Sequence, residues 1–252
     1  MSTLSAVIIT NNEEKNIGRC LQSLTQVADE IIVVDSGSTD GTEAICRQYN
    51  AQFIRQPWLG YGPQKNHGIR LAAHDYILSL DADEELSPEL ITAIRQEKEK
   101  GLSGVYVLQR LNNFFGQFAR YGLEYPDHKT RIFNRQQALW NDSPVHEMLE
   151  IAEGVAPVTL PGYLYHYSYD DIETYLSKFN NYTTLAAESL YRRGKRAGVI
   201  KLVFSPWFTF IKGYIFRAGF RQGLHGFLLA ALAAYYVLIK YAKLWRLQRA
   251  NK

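Results

Sequence analysis

The chain has 252 residues, 46% of them hydrophobic and 21% charged, with a formal net charge of +3. That balance excludes a wholly disordered or collagen-like chain. Two cysteines, Cys20 and Cys46, are too few for a disulfide framework and suit a reducing compartment. Seventeen Tyr, twelve Phe and four Trp supply a sizeable core and leave aromatics for a sugar- or membrane-facing surface. The opening MSTLSAVIIT lacks a positive n-region and a long apolar h-region, so no signal peptide is expected.

The net charge conceals a division. Residues 1–188 hold all 25 acids and 15 bases, a balance of −10, whereas 189–252 hold 13 bases and no acid. A break this sharp marks a change of role along the chain.

The first half alternates strand and helix patterns. Leu4–Thr10 is a short apolar run rich in β-branched residues, as a buried parallel strand requires. Ile17, Leu21 and Leu24 recur at helical spacing, and Glu30–Asp35 repeats the strand pattern. Asp40 with Glu43 reads as a capping pair for a helix over 42–49. A third strand is expected over 52–56, a helix over 62–73, and a fourth strand over 76–80 that ends at Asp81-Ala82-Asp83. Ser87-Pro88 is a helix start, and 104–111 is a fifth strand. This βαβ order predicts an α/β fold with a doubly wound, mostly parallel sheet. From 112 to 169, short strand-like pieces (130–134, 155–160, 163–167) sit among aromatic and Gly/Pro turns, as in a mixed, partly antiparallel extension forming a second wall of a cleft.

Ligands of open α/β sheets bind outside the carboxyl ends of the strands. Three polar clusters fall there: Thr10-Asn11-Asn12-Glu13, the run from Asp35 to Gly41, and Asp81-Ala82-Asp83. No GxGxxG, GxxxxGK[ST] or GxSxG is present, which argues against a dinucleotide dehydrogenase, a P-loop NTPase and an α/β-hydrolase. Two carboxylates two residues apart on an extended chain share one face and repel unless a cation sits with them. Hard oxygen ligands suit Mg²⁺ or Mn²⁺, whose shells phosphate oxygens complete. A solvated loop or helix cap is the bland reading of the same pair.

VIITNNEEKNIGRCLQSL, EIIVVDSGSTDGT, QKNHGI and YILSLDADEEL in this order resemble the inverting family 2 glycosyltransferases of GT-A fold. Within them the chain is similar to the bacterial lipopolysaccharide-core glucosyltransferase branch. The resemblance implies that Thr10, Asn11 and Glu13 hold the uridine, that Asp35 is the first acid of a pair whose second position is Ser36 here, and that Lys65 and Asn66 lie near the nucleotide. It implies that Asp81 and Asp83 form the DxD pair, Asp83 as metal ligand and Asp81 nearer the ribose, that the run 141–147 (NDSPVHE) carries the base, and that His166 reaches the metal or diphosphate.

Inverting transfer needs one carboxylate to take the acceptor's proton and positive charge beside the departing diphosphate. Glu147 is the expected base, with His146 beside it and Asp142 as its rival; Lys65, Arg131 and His166 are the expected cationic side. Glu147 could instead be a surface carboxylate, His166 an aromatic-packed histidine, and Arg131 a partner of Asp127 alone.

A helix over 171–193 is expected to close a catalytic domain of residues 1–190, divided into a nucleotide half (1–111) and an acceptor half (112–170). The tail, 194–252, contains uncharged stretches at 202–211, broken by Pro206, and at 226–239, both short of the ~20 residues a span needs. Lys201, Lys212, Arg217, Arg221, Lys240, Lys243, Arg246 and Arg249 flank them, with Trp207, Phe208, Tyr235, Tyr236 and Trp245 placed for a headgroup boundary. This predicts a helical appendage lying on an anionic membrane surface. A core hairpin, an oligomer interface and a single span over 224–241 are the alternatives, while the long aliphatic runs argue against nucleic acid.

The expected activity is therefore metal-dependent transfer of a hexose, as the resemblance implies glucose, from a UDP-sugar to a lipid-linked saccharide. The implied acceptor is a heptose of the lipopolysaccharide inner core, at the cytoplasmic face of a bacterial inner membrane. The alternatives are hexosyl transfer to a polyprenyl phosphate or capsule precursor, and a non-catalytic nucleotide-sugar-binding or scaffold protein.

Overall fold

A computed structural model describes residues 1–141 and 148–250. These residues form two compact units, one of 1–110 with 127–141 and 148–167, the other of 111–126 with 168–250. The 171–193 helix thus belongs to the same unit as the tail.

In the first unit, β1 (Leu4–Thr10), β2 (Glu30–Asp35), β3 (Gln52–Arg55) and β4 (Tyr76–Asp81) run parallel in the order β3-β2-β1-β4. The connecting helices are α1 (Ile17–Leu24), α2 (Thr42–Gln48) and α3 (Tyr61–Leu71). After β4 come a three-residue strand, β5 (Glu84–Leu86), then α4 (Pro88–Lys100) and β6 (Val105–Phe114). A two-residue strand, β7 (Gln117–Phe118), pairs with the end of β6. Next, β8 (Asp127–Asn134) lies antiparallel to both β4 and β6. A hairpin of β9 (Ala138–Trp140) and β10 (Leu149–Ile151) stands apart, and β11 (Pro157–Tyr169) pairs antiparallel with β5. The sheet is mixed but mostly parallel at its centre, the GT-A type α/β arrangement.

Alternation along β1 shows why the strands are apolar throughout. Leu4, Ala6 and Ile8 enter one core with α1 and α4; Val7 and Ile9 enter the other, with Ile69 of α3. All are buried, as strands covered on both faces must be. On α3, Gly68 lets the helix approach the sheet: a Cβ there would lie 2.5 Å from Val7 and 2.9 Å from Val34.

Two expected features differ in detail, and the expected helix start at Ser87-Pro88 is present. The α2 N-cap is Gly41; Asp40, one residue earlier, accepts from the Thr42 N–H at 3.1 Å, while Glu43 turns away to Arg47 and Arg55. The pieces expected at 155–160 and 163–167 are one strand, β11, because Gly162 takes φ +95° and passes within 2.4 Å (ideal Cβ) of the Leu90 backbone nitrogen, which a side chain would block. Ser87, fully buried, accepts from the N–H groups of Leu90 and Tyr163 and so ties α4 to that strand.

In the second unit, α5 (Ile172–Arg192), α6 (Val199–Ile211) and α7 (Gly223–Ala250) are joined by a π turn at Lys212–Phe216 and a 3₁₀ turn at Gly219–Gln222. Pro206 lies inside α6 without ending it; it removes one N–H donor, and the neighbouring bonds carry the helix on. The helices also outrun the uncharged stretches. Val199–Phe216 and Gly219–Ala250 are long and apolar enough to cross a membrane by length and composition. The turn is locked by glycine: a Cβ on Gly226 would meet the Gly219 carbonyl oxygen at 1.9 Å.

Candidate active site

The carboxyl ends of β1, β2 and β4 bring Thr10, Asp35 and Asp81 to one rim of the sheet, at the point where strand order reverses. The first two loops are knitted together. Asp35 accepts from the N–H groups of Gly37 and Ser38, both at 2.9 Å, and from the Ser38 hydroxyl. Asn12, at φ 54°, accepts from the Thr39 N–H at 2.9 Å, and its own N–H donates to Ser38 at 2.8 Å. Ser36, at the family's second acid position, closes its hydroxyl onto the Thr10 carbonyl at 3.1 Å. Glu13 accepts from the Asn16 side chain at 2.7 Å at the start of α1. Asn11 is exposed, and the buried Thr10 hydroxyl has no hydrogen-bond partner among the described residues.

The third strand end is a charge cluster. Lys65 of α3, 2% exposed, places Nζ 3.0 Å from Asp81 and 4.5 Å from the Trp140 ring centroid. Arg131 of β8, 3% exposed, contacts the other Asp81 oxygen at 2.7 Å and Glu84 at 2.5 Å. Glu84, fully buried, also accepts from the Asp81 N–H at 3.0 Å and from Arg110 at 3.4 Å. Arg110 in turn pairs with Asp127 at 2.8 Å. Arg131 therefore serves Asp81 and Glu84, and Arg110 takes the Asp127 partnership.

Asp81 and Asp83 do not share a face, because β4 ends at Asp81 and a turn through Ala82 and Asp83 precedes β5. Asp83 faces His166 of β11, with 3.3 Å between carboxylate and Nε2, and its carbonyl accepts from the Tyr167 N–H. His166 pairs in register with Glu84 across β5 and β11.

Burial pushes the Asp81 carboxyl up, but Arg131 and then Lys65 outweigh it and hold it well below the usual carboxylate range. Burial opposes the Arg131 charge, yet Asp81 and Glu84 hold it protonated more firmly than a free guanidinium. Because the folded Asp81 value lies below the unfolded one, its contribution to stability is complete above the unfolded value, about pH 3.9, and erodes as pH falls below it. Urea unfolding measured from pH 6 to 2.5 should lose stability from about pH 4 downward. Asp81→Asn should flatten part of that acid limb; an unchanged limb would show that the pair is not formed.

Asn66, next to Lys65, bonds the backbone of β9. Its amide donates to the Trp140 carbonyl at 2.7 Å and accepts from the Trp140 N–H at 3.1 Å, strapping α3 to β9. Cys20 and Cys46 are buried and free, and burial raises both thiols, Cys46 to about 12. Neither is an available thiolate. Asp142, His146 and Glu147 lie outside the described residues.

A family model described as "Glycosyl transferase family 2" matches residues 5–149. The chain belongs to glycosyltransferase family 2. The glycosyltransferase is 33% identical to the "Lipopolysaccharide core biosynthesis glycosyltransferase LpsC" of Rhizobium meliloti, with 96% of this chain and 92% of that protein covered. It is also 33% identical to an "Uncharacterized glycosyltransferase" of Rickettsia felis, over 97% and 90%. Among solved structures, S. aureus TarS 1-349 matches at 16% identity and TM-score 0.48, over 99% of this chain and 92% of that one. Glucosyl-3-phosphoglycerate synthase from Mycobacterium tuberculosis, solved with Mn²⁺, uridine diphosphate and phosphoglyceric acid, matches at 24% identity and TM-score 0.37, over 44% of each chain.

Glu84 and Arg110 are the site residues that sequence reasoning missed. The available signal was the acid run DADEE beside an apolar strand: so many carboxylates at a buried edge require cations from elsewhere in the fold.

Proposed function

We propose that the glycosyltransferase moves a hexose, glucose by family resemblance, from a UDP-sugar to a lipid-linked saccharide of the lipopolysaccharide core, using Mg²⁺ or Mn²⁺. The observation that carries the site reading is the Asp83–His166 pair, 3.3 Å apart and partly open to solvent, beside the Lys65–Asp81–Arg131 cluster at the sheet's switch point. The resemblance to LpsC over nearly the whole chain supports the acceptor class.

The donor set fits such a cation. The carboxylate comes from the turn before β5 and the imidazole from β11, and among the described residues no three His, Cys, Asp or Glu side chains form a group that could hold a metal ion. A Mg²⁺ or Mn²⁺ ion with few protein ligands completes its shell with phosphate oxygens and water. When bound, it would neutralise charge on the diphosphate leaving group.

The chain's own residues supply the rest. Thr10, Asn11 and Glu13 line the uridine end. Lys65 and Arg131 hold Asp81 rigidly, so that the turn through Asp83 is presented in one position. Glu147 takes the acceptor hydroxyl's proton as that oxygen attacks the anomeric carbon, and Asp142 and His146 sit beside it in the sequence. The basic tail keeps the enzyme on the cytoplasmic face of the inner membrane, where a lipid-linked acceptor is confined.

The test is UDP release from UDP-glucose. The purified enzyme should release UDP slowly, only with Mn²⁺ or Mg²⁺, and faster with core-truncated lipopolysaccharide; Asp83→Ala should abolish the metal-dependent rate. Equal rates in a chelator would overturn the metal role.

A further inference from the structure

The second unit has three helices, and α6 carries a run of exposed apolar side chains. On one side α7 meets α5: Phe179 stacks on Tyr235 at 5.0 Å, and Leu244 packs with Ala187. On its other side it meets α6, where Phe210 packs edge-on against Phe227. No residue of α6 is buried. Its inward positions, such as Leu202, Ser205, Thr209 and Phe210, are half-buried, and its outward positions are open. Phe204 is 65% exposed, Trp207 66%, Phe208 62%, Ile211 41%, Ile215 52% and Phe216 73%. Phe204, Phe208 and Ile211, with Trp207 beside them, follow the three- or four-residue spacing that aligns side chains on one side of α6, and Ile215 and Phe216 continue the exposed apolar run into the π turn. Lys201 and Lys212, both exposed, bracket the part of the stripe that lies on α6, about 16 Å apart along the axis.

We infer that α6 lies in the plane of an anionic lipid leaflet with this stripe immersed, and that neither α6 nor α7 crosses the bilayer. The inference rests on the membrane-surface reading of the tail and adds its orientation. Two observations carry it beyond composition. First, α7 is fastened at both ends to polar parts of its own unit. The Gln222 side chain accepts from the N–H groups of Arg120 and Tyr121 at 2.7 and 2.8 Å, and Lys243 donates to the Asn180 carbonyl and to the Thr183 and Thr184 hydroxyls. Second, α5, which covers the far side of α7, carries Glu173, Lys178, Glu188 and Arg192. An upright α7 would carry those charges into hydrocarbon, which is costly. A flat α6 immerses only apolar side chains and lets Lys201 and Lys212 snorkel to phosphates at both ends.

Charge complementarity selects the occupant. Residues 189–252 hold thirteen bases and no acid, a match for anionic headgroups and a mismatch for a second copy of the same surface. A groove of about 410 Å³ between α6 and α7, lined by Phe204, Phe208 and Val237 with Lys201 and Lys240, pairs apolar walls with cations as a phospholipid does.

The test is site-directed spin labelling of the full chain at 200, 204, 208, 211 and 215 on phosphatidylglycerol vesicles. Both native cysteines are buried, so the labels report the chosen sites. The five positions should report depths within a few ångströms of one another, about 5–10 Å into the interface. Depth that changes steadily, by about 22 Å from 200 to 215, would overturn the flat orientation while keeping the membrane reading. No immersion on any vesicle, or loss of label mobility through dimer formation without lipid, would overturn both. Trp207→Ser with Phe204→Ser should weaken vesicle binding at least about tenfold and leave UDP-glucose hydrolysis unchanged; unchanged vesicle binding would contradict the immersed stripe.

Discussion

Glu147→Gln is expected to lower kcat for hexosyl transfer by about 10²- to 10⁴-fold, the usual contribution of a positioned general base. The substitution preserves size and removes only the ability to take a proton. KM for the UDP-sugar should change little, because the proposed function assigns the donor to Thr10, Asn11 and the Asp83–His166 end of the site. UDP binding, measured by calorimetry, should be retained. Asp142→Asn is the informative comparison: if it abolishes transfer while Glu147→Gln is active, the base is Asp142. A variant of either residue that lost UDP binding as well would show a donor-binding role instead.

Glu84→Ala should be the most destabilising single change in the first unit. Glu84 is fully buried, and its carboxylate accepts from Arg131, from Arg110 and from the Asp81 N–H. Removing it leaves Arg131, itself 3% exposed, with one partner fewer and a buried N–H unsatisfied. Breaking a buried pair in this way costs about 3–5 kcal/mol, a large part of the total stability of an ordinary domain. Urea midpoints should fall accordingly for Glu84→Ala and less for Glu84→Gln, which keeps an acceptor. A loss under about 1 kcal/mol for the alanine variant would show that water or a shifted Arg110 takes its place.

The legible parts of the fold were those in which both faces of an element carry the same message. β1, β2 and β4 are buried on both sides, so their apolar runs are continuous and their ends, with Thr10, Asp35 and Asp81, could be placed. β5 was not legible: three residues, two of them glutamates, show no strand period, and it exists because β11 pairs with it. The expectation that Asp81 and Asp83 point the same way assumed an extended chain, whereas a turn sends Asp81 to Lys65 and Arg131 and Asp83 to His166. Neighbours in one motif take different partners in the fold: Lys65 reaches the charge cluster, and the Asn66 amide bonds the Trp140 backbone, a long-range pairing no local pattern shows. In the tail, composition revealed the basic and apolar character of the helices, but which face is open depends on α5 and α7 packing, a long-range fact.

The account turns on Asp83 and His166 presenting a divalent cation to a nucleotide's diphosphate. Mn²⁺ titration followed by electron paramagnetic resonance, with and without UDP, tests this most directly. The wild-type glycosyltransferase should bind one Mn²⁺ per chain, more tightly when UDP is present, and Asp83→Ala and His166→Ala should each weaken that binding at least about tenfold. Undiminished Mn²⁺ binding in both variants, or binding indifferent to UDP, would contradict it.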